Sequence, residues 1–315
     1  PRVAPDPALL LASFKASRWY ADQITATVTL PAAPADVAPC ELAPAPRRAV
    51  AALLGRDADA PSLLYRHQAD AVRLAAEGRS FIVAAPTASG KSVCFLAPLA
   101  AALAADPGAT AVLLFPTKAL AQDQLPRVAK ALKAALEGVG GGGAAAAPSP
   151  LVAVFDGDTP PADRPAILAA ARVLLTNPDM LHRTILPASR SDGWRRFLSG
   201  VALVAVDEAH AYAGAFGAHA ALVLRRLRRV VESAAGPGAR PPLFIALSAT
   251  VGNARQHAAA LLGDPDVALV AADGSPAGAK TFVVWNPPLL QGKGAGGDRG
   301  GGGRPPRPRP EPAIA

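Results

Sequence analysis

From residue 81 onward, short runs of apolar and β-branched residues alternate with longer stretches of helical periodicity. The short runs predict strands at residues 81–85, 111–115, 151–155, 172–176, 201–206, 243–247 and 281–285. Between them lie helix-like segments such as 93–105, 120–136 and 220–231. Strands that alternate with helices form βαβ units, which build a parallel sheet. The sequence therefore predicts a doubly wound, mostly parallel α/β fold.

Three segments fall outside this alternation. Residues 1–61 are rich in Pro and Ala, give only a weak helix or strand signal, and are interpreted as an N-terminal accessory segment. A Gly/Ala/Pro run at 138–150 predicts a flexible surface loop within the main domain. Residues 289–315 are Gly-, Arg- and Pro-rich, which predicts a disordered linker. The main α/β domain is then expected at residues 62–288.

Composition restricts the partners and the compartment. The net charge of +8 and the pI near 10.0 favour polyanionic partners without identifying one. The two cysteines, Cys40 and Cys94, form no C-x-x-C pair, which argues against a disulfide framework and fits a reducing, intracellular compartment. No apolar run reaches the roughly 18 to 20 residues needed to cross a bilayer, so we expect no membrane partner.

The most specific motif is A-P-T-A-S-G-K-S at residues 85–92, which follows the first predicted strand and opens a helix. Backbone N–H groups in such a turn can bind phosphates at the helix N-terminus. Lys91 would contact the β- and γ-phosphates of ATP, and Ser92 would bind Mg²⁺. The alternative is an ordinary strand-to-helix turn with a solvated lysine. The candidate nucleotide-binding positions are Thr87, Ala88, Ser89, Gly90, Lys91 and Ser92.

Two adjacent carboxylates follow the strand predicted at 201–206, in the sequence D-E-A-H. Asp207 can hold Mg²⁺, while Glu208 can orient and deprotonate the water that attacks the γ-phosphate. An acidic pair that caps the next turn is the alternative. It becomes unfavourable once a phosphate loop precedes it in the same fold, because ligands gather at the carboxyl ends of such strands.

Weaker candidates follow other elements. Ser248 and Thr250 come after the strand at 243–247 and could bridge the nucleotide site and a neighbouring surface. Gln68 offers an amide whose donor and acceptor suit the adenine edge. The P-T-K-A-L and T-N-P-D segments could grip phosphodiesters without reading bases, and each could instead be a plain capped turn. The candidate nucleic-acid contacts in them are Thr117, Lys118, Thr176 and Asn177.

The order of these elements resembles the successive motifs of superfamily-two helicases. Longer strings narrow the resemblance to the RecQ-like DNA-repair helicases of the Hrq/MrfA type. They are T-A-S-G-K-S at 87–92, F-P-T-K-A-L-A-Q-D-Q at 115–124, D-G-D-T at 156–159, L-T-N-P-D-M-L-H at 175–182, D-E-A-H-A-Y at 207–212, F-G at 216–217, L-R-R-L-R-R at 224–229, D-G-S-P at 273–276 and W-N-P-P at 285–288. The resemblance spans about residues 65–288.

This resemblance implies the first RecA-like lobe of a P-loop NTPase, with ATP and Mg²⁺ held between it and a second lobe. The implied activity is ATP-dependent 3′-to-5′ translocation on single-stranded or forked DNA, with unwinding, in DNA repair. The location would be the nucleus if the source is eukaryotic. A second RecA-like lobe that carries an arginine finger is the expected partner, because a single lobe cannot close the catalytic site.

Family roles then fall on matching residues. Gln68 would contact adenine, and Lys91 and Ser92 the phosphates and Mg²⁺. Asp207 and Glu208 would serve the metal and the water. His210 with Ser248 and Thr250 would couple hydrolysis to lobe movement, while Thr117, Lys118, Thr176 and Asn177 would lie against the DNA backbone.

Two positions depart from the family pattern. Pro86 stands where the loop usually has Gly and removes one N–H, so most phosphate-facing amides should come from residues 88–92. Ala213 stands where a charged residue is expected. Two alternative functions stay open: an RNA helicase lobe with the same ATPase chemistry, and a catalytically silent module that binds nucleic acid or a partner.

Overall fold

The computed structural model describes residues 6–59, 62–137 and 151–287. The strands are β1 Ile24–Leu30, β2 Val37–Pro39, β3 Leu63–Tyr65, β4 Phe81–Ala84, β5 Thr110–Leu114, β6 Val152–Val154, β7 Val173–Thr176, β8 Val201–Val206, β9 Leu243–Ser248, β10 Ala268–Val270 and β11 Lys280–Trp285. The helices are α1 Pro7–Lys15, α2 Pro44–Leu54, α3 Arg66–Ala76, α4 Ser92–Ala105, α5 Lys118–Leu136, α6 Arg164–Ala170, α7 Pro178–Met180, α8 Asp192–Ser199, α9 Gly214–Ala235 and α10 Ala254–Leu262.

The chain forms two compact units. Among the described residues, the larger unit lies within residues 35–275, and the smaller combines residues 6–34 with 276–287. The boundaries of these units differ from the domain boundaries at residues 61 and 288 that composition predicts. The predicted division stays a prediction. The predicted loop at 138–150 and the predicted linker at 289–315 lie outside the described residues.

The larger unit is built on a seven-stranded sheet with the order β10-β4-β9-β8-β5-β7-β6. Every neighbouring pair in this sheet is parallel. The connection that leaves β4 runs across β9 and β8 to β5, whereas the connection that leaves the neighbouring strand β9 runs the opposite way, across β4 to β10. This arrangement confirms the predicted α/β fold. Where the connections of two neighbouring strands run in opposite directions, a crevice opens at the carboxyl ends of those strands, and sheets of this kind bind ligands there.

Both faces of this sheet are buried, as expected for a parallel sheet covered by helices. Successive residues of β9 alternate between two apolar clusters: Phe244 and Ala246 lie in one, Ile245 and Leu247 in the other. The first cluster includes residues of α8, α9 and α10, and the second includes residues of α2, α3, α4 and α5. The sheet is therefore a rigid platform for the loops at its carboxyl edge.

Helix α2, from the segment predicted to be accessory, packs within the larger unit against α4 and α5. Arg48 on α2 donates to the carbonyls of Ala134 and Ala135 near the end of α5, at 3.0 and 2.8 Å. These carbonyls lack partners within a helix that is ending, so the guanidinium satisfies them. Strands β2 and β3 form a small antiparallel pair in the same unit.

In the smaller unit, β1 and β11 form a two-stranded antiparallel ribbon. The strand predicted at 281–285 therefore exists, but its place in the parallel sheet was wrong, because it pairs with a segment more than two hundred residues away. Trp285 also packs against Trp19 and Tyr20, with ring centroids 5.7 and 6.2 Å away. In the described parts of both units, no helix is long and apolar enough to span a membrane.

Candidate nucleotide and nucleic-acid site

Backbone hydrogen bonds between neighbouring strand ends bring the sequence motifs together at the carboxyl edge of the sheet. Ala85 N, at the start of the phosphate loop, donates to Ser248 O at 3.3 Å. Asp207 N donates to Leu114 O at 2.9 Å. Phe115 N donates to Thr176 O at 3.0 Å. The loops that follow β4, β9, β8, β5 and β7 therefore share one edge, in that spatial order.

The phosphate loop presents a series of unused backbone donors. In the described part of the chain, no acceptor receives the N–H of Thr87, Ala88, Gly90, Lys91 or Ser92. Ala88 and Gly90 have φ values of 65° and 80°, in the left-handed region that turns the chain sharply. Consecutive free N–H groups at the start of α4 form a cradle for an anion.

Lys91 lies across this loop. Its Nζ donates to the carbonyls of Ala85 and Pro86 at 2.7 and 2.8 Å. Burial lowers the pKa of Lys91, and the negative charges of Glu208 and Asp207 oppose that shift. The ammonium therefore rests on weak neutral acceptors of its own loop, close to both carboxylates, and a phosphate would be a stronger partner for it.

The acidic pair is held at the end of β8. Asp207 Oδ1 accepts the Glu208 N–H at 2.8 Å. Burial raises the pKa of Asp207 to about 6, and the nearby Glu208 charge adds to the rise. Glu208 has φ 49° and ψ 46°, in the left-handed region, so the chain turns sharply there. A desolvated carboxylate is a strong ligand for a hard cation, because the cation removes the cost of its buried charge.

His210 joins this turn to the loop after β9. Its Nδ1 accepts the N–H of Ala249 at 3.2 Å and lies 3.4 Å from Glu208 Oε2. A neutral ring nitrogen that accepts from Ala249 cannot also donate to Glu208, so the two contacts compete. His257 on α10 supports the same turn, since its Nε2 lies 2.8 Å from the Ala209 carbonyl and must donate to it.

The two hydroxyls after β9 differ in exposure. Ser248 is fully buried beside Ala84, and its Oγ has no hydrogen-bond partner among the described residues. Thr250 is exposed. A buried hydroxyl without a partner is unusual and marks a position where a rearrangement could supply one.

Gln68 is connected to the phosphate loop through both ends of its amide. Oε1 accepts the Tyr65 N–H, and Nε2 donates to the Gly90 carbonyl, both at 3.0 Å. A Cβ at Gly90 would lie 2.7 Å from Nε2, so only glycine allows this approach. The amide oxygen can accept one further hydrogen bond, and the amide nitrogen can donate one more. The predicted contact with adenine stays a prediction.

The predicted nucleic-acid contacts fall into two groups. Thr117 and Asn177 cap the helices α5 and α7 by accepting the N–H of Leu120 and Met180, at 3.3 and 2.9 Å. Thr117 is exposed and Asn177 half-buried. Thr176, in contrast, is 1% exposed, and its hydroxyl donates to the Phe155 carbonyl at 2.6 Å. Its side chain is committed to the sheet and is not available at this surface.

Lys118 has a partner that the sequence reasoning did not assign. Its Nζ lies 2.7 Å from Asp158 Oδ1, and this hydrogen bond raises the pKa of Lys118. Both side chains are exposed. Asp158 belongs to the D-G-D-T string at 156–159, which carried the resemblance without a role. The loop after β6 therefore reaches the same surface as the loop after β5.

Comparisons with known proteins agree with this geometry. The family description "DEAD/DEAH box helicase" matches residues 65–258, more than half of the chain. The chain belongs to the DEAD/DEAH box helicase family. Among curated relatives, it is 42% identical over 226 residues to "ATP-dependent helicase HRQ1" of Saccharomyces cerevisiae, covering 72% of this chain and 20% of the relative. It is 37% identical over 230 residues to "Uncharacterized ATP-dependent helicase YprA" of Bacillus subtilis, covering 72% of this chain and 28% of that protein.

Among solved structures, DUF1998 helicase MrfA bound to DNA and AMPPNP is similar, with a TM-score of 0.75 and 31% identity. The similarity covers 91% of this chain and 37% of that one. The resemblance to the Hrq/MrfA helicases is thereby confirmed. The chain spans about a fifth of the length of the yeast relatives it matches.

Proposed function

We propose that this chain is the first ATP-binding lobe of an ATP-dependent DNA helicase. The lobe would bind ATP, hydrolyse it, and use the resulting movement to translocate on DNA and unwind it. The observation that carries the proposal is the convergence at one sheet edge of five unused N–H groups, the Lys91 ammonium and the adjacent carboxylates of Asp207 and Glu208. Family membership of residues 65–258 supports the same function.

Each group has a chemical role in this proposal. The N–H groups of the phosphate loop bind the phosphate oxygens, and Lys91 leaves the Ala85 and Pro86 carbonyls to contact the β- and γ-phosphates. Glu208 orients the attacking water and accepts its proton, while His210 can hold either Glu208 or Ala249.

Mg²⁺ fits the donor set at this edge. The Ser92 hydroxyl and the buried Asp207 carboxylate are hard oxygen ligands, and Mg²⁺ is held by one or two carboxylates together with substrate phosphates and waters. When bound, the metal neutralises the charge that develops on the β- and γ-phosphate oxygens. Asp207 must be ionised to bind it, and the neighbouring Lys91 charge favours that form.

Gln68 is proposed as the adenine contact, and Ser248, Thr250 and His210 as the groups that couple hydrolysis to lobe movement. Ser248 supports this role because its buried Oγ has no partner in the described chain. His210 supports it because Nδ1 has two competing partners on different loops.

The nucleic-acid surface is proposed at the loops after β5 and β7. Thr117, Lys118 and Asn177 would contact phosphates of single-stranded or forked DNA. Thr176 would position this surface through its bond to Phe155 and would not touch the nucleic acid. The similarity to MrfA, whose structure contains DNA, favours DNA as the partner.

The remaining properties follow from the relatives and are proposals as well. A second RecA-like lobe would supply the arginine finger and close the site. We also propose 3′-to-5′ polarity, a role in DNA repair, and an intracellular location, in the nucleus if the source is eukaryotic.

The test is binding of MgATP, and of single-stranded DNA and RNA of matched sequence, by residues 1–315. We expect weak ATP binding that Lys91→Ala abolishes, together with binding of DNA. Absence of ATP binding would reduce the chain to a silent binding module, and tighter binding of RNA than of DNA would favour an RNA helicase lobe.

A further inference from the structure

The turn that follows β8 contains a backbone conformation that other contacts must hold in place. Glu208 has φ 49° and ψ 46°, in the left-handed region. A residue with a Cβ adopts this region at a cost in free energy, and the conformation persists where surrounding contacts determine it. Because Glu208 is the proposed base, the contacts that hold this turn also decide where its carboxylate lies.

Three hydrogen bonds within the turn define its shape. Asp207 Oδ1 accepts the Glu208 N–H at 2.8 Å. The Glu208 carbonyl accepts the Ala211 N–H at 2.8 Å, and the Ala209 carbonyl accepts the Tyr212 N–H at 3.1 Å. Donors and acceptors in these bonds are close neighbours in the chain. The three bonds therefore shape the turn but do not attach it to another element.

His257 on α10 supplies that attachment. Its Nε2 lies 2.8 Å from the Ala209 carbonyl oxygen. A carbonyl oxygen only accepts, so Nε2 carries the proton, and its two lone pairs allow this bond beside the one from Tyr212. In the described part of the chain, no other hydrogen bond reaches the backbone of residues 208–212 from another element.

The helix that carries this histidine is itself anchored at its end. Arg225 and Arg228 on α9 donate to the carbonyls of Ala260 and Leu262, at 3.1 and 3.2 Å. Both carbonyls lie in the last turn of α10, where the helix offers them no partner of its own. The L-R-R-L-R-R string at 224–229, which carried the resemblance without a role, thus holds α10 in place.

The chain after β9 reaches the turn at two points of different character. The Ala249 N–H bonds to the His210 side chain, whereas His257 bonds to the Ala209 backbone. The first bond can be exchanged, because Glu208 Oε2 lies 3.4 Å from the same His210 nitrogen. The second has one acceptor among the described residues and leaves the backbone where it is.

We propose that His257 is a positioning residue for the proposed base. Its Nε2–H holds the Ala209 carbonyl, which keeps Glu208 in its left-handed conformation and its carboxylate at the carboxyl edge of the sheet. The proposal rests on the ATP-hydrolysing function proposed above. The bond involves neither the phosphate loop nor Lys91, so ATP binding does not depend on it. It also keeps the turn in place while His210 exchanges one partner for the other.

The test uses two substitutions that differ in one donor. Glutamine and methionine are alike in length and helix propensity, but only glutamine can donate to the Ala209 carbonyl. In a polypeptide that includes the second lobe, on single-stranded DNA, we expect His257→Met to lower single-turnover ATP hydrolysis about tenfold, the effect of one lost hydrogen bond. His257→Gln should stay within about twofold of the parent, since the bond is kept. Both variants should bind MgATP like the parent.

The matched control is Gln256→Met, at the preceding position of α10. Gln256 is exposed, and its side chain has no hydrogen bond among the described residues. This variant introduces the same side chain on the same helix without removing a contact to the turn. It should hydrolyse ATP at the parent rate.

A merely structural histidine would give a different pattern. Both His257 variants lose the packed ring, so a structural role predicts equal losses of hydrolysis that follow the melting temperature. Equal hydrolysis by the two variants would overturn the proposal, as would a loss of ATP affinity in His257→Met as large as its loss of hydrolysis. Lys91→Ala separates the two levels. If it binds and hydrolyses ATP like the parent, the proposed function fails, whereas if it does not and the two His257 variants are equal, only the positioning role fails.

A measurement on the unsubstituted protein covers the case in which a variant does not fold. Nitrogen chemical shifts of His257 distinguish a protonated ring nitrogen from a bare one. The proposal requires a protonated Nε2, because the Ala209 carbonyl cannot donate. A bare Nε2 would overturn it.

Discussion

His210 Nδ1 accepts the Ala249 N–H at 3.2 Å, and the same nitrogen lies 3.4 Å from Glu208 Oε2. The imidazole therefore stands between the proposed catalytic base and the loop after β9. Since a neutral Nδ1 cannot satisfy both groups, a change at Glu208 during hydrolysis would alter the bond to Ala249. This relationship gives the proposed coupling a physical element with two arrangements.

The first prediction concerns that element. His210→Ala removes the acceptor of the Ala249 N–H but leaves Lys91, Asp207 and Glu208 in place. In a polypeptide that includes the second lobe, we expect ATP hydrolysis to persist while unwinding falls several-fold. The measurement is the amount of ATP consumed per base pair unwound. An unchanged ratio would mean that His210 has no part in coupling.

The second prediction concerns the isolated chain. Residues 1–315 should bind ATP but hydrolyse it very slowly, because an arginine finger from another lobe would contribute roughly 10³ to 10⁵ in rate. Steady-state hydrolysis with and without single-stranded DNA measures this directly. Robust DNA-stimulated turnover by this chain alone would contradict the two-lobe account.

The third prediction uses the ion pair between Lys118 and Asp158. Lys118→Ala should weaken DNA binding equally for unrelated sequences and reduce the salt dependence by about one unit of slope, because one phosphate contact is lost. Asp158→Asn should have the opposite effect on affinity, since it frees the Lys118 ammonium. Titrations of two unrelated oligonucleotides at several salt concentrations test both variants. A loss for one sequence only would exclude contact through the backbone.

The fourth prediction is a pH dependence of stability. Because burial lowers the folded-state pKa of His67, the unfolded chain takes up a proton that the folded chain does not as pH falls below about 6.5. The contribution of His67 is therefore present at pH 7 to 8 and is lost toward pH 5. The groups that act on the ring are Asp273, Asp70, Lys91 and the Ser89 backbone.

The measurement is the free energy of unfolding of the parent and of His67→Gln from pH 5 to 8. We expect the parent to lose stability relative to the variant on acidification. His182→Gln, which removes an exposed ring, serves as the control. A difference between parent and His67→Gln that stays constant with pH would show that His67 does not resist protonation in the folded state.

The strands that carry the site could be predicted because they are buried on both faces. β4, β5, β7, β8 and β9 are continuous apolar runs, a signal that does not depend on distant contacts. β10 was missed, since Ala268–Val270 is too short to stand out. The ribbon of β1 and β11 was missed as a pair because its register joins Thr27 to Val283, a contact that no local pattern records.

The candidate site could also be predicted only in part. The motif residues follow predicted strands, so their meeting at one edge follows from parallel topology. What sequence could not show is the use of each side chain within the fold. Thr176 looks like an exposed hydroxyl at a strand end but donates to the carbonyl of Phe155, the residue after β6. Asp158 pairs with Lys118 through a contact between the loops after β6 and β5, which no local pattern records.

The central claim assigns ATP binding and ATP hydrolysis to different side chains at one edge. Glu208→Gln keeps size and hydrogen bonding but removes the carboxylate that accepts the water's proton. Lys91→Ala removes the ammonium that binds the phosphates. In a complete, two-lobed protein, Glu208→Gln should therefore leave ATP affinity nearly unchanged while hydrolysis falls by roughly 10² to 10⁴.

The most direct measurement is a MgATP-binding titration of the parent, Glu208→Gln and Lys91→Ala on single-stranded DNA, paired with single-turnover hydrolysis. We predict that the parent and Glu208→Gln bind ATP alike, that Lys91→Ala binds it much more weakly, and that only the parent hydrolyses it rapidly. Glu208→Gln that hydrolyses ATP at the parent rate, or that loses ATP binding as severely as Lys91→Ala, would contradict the account.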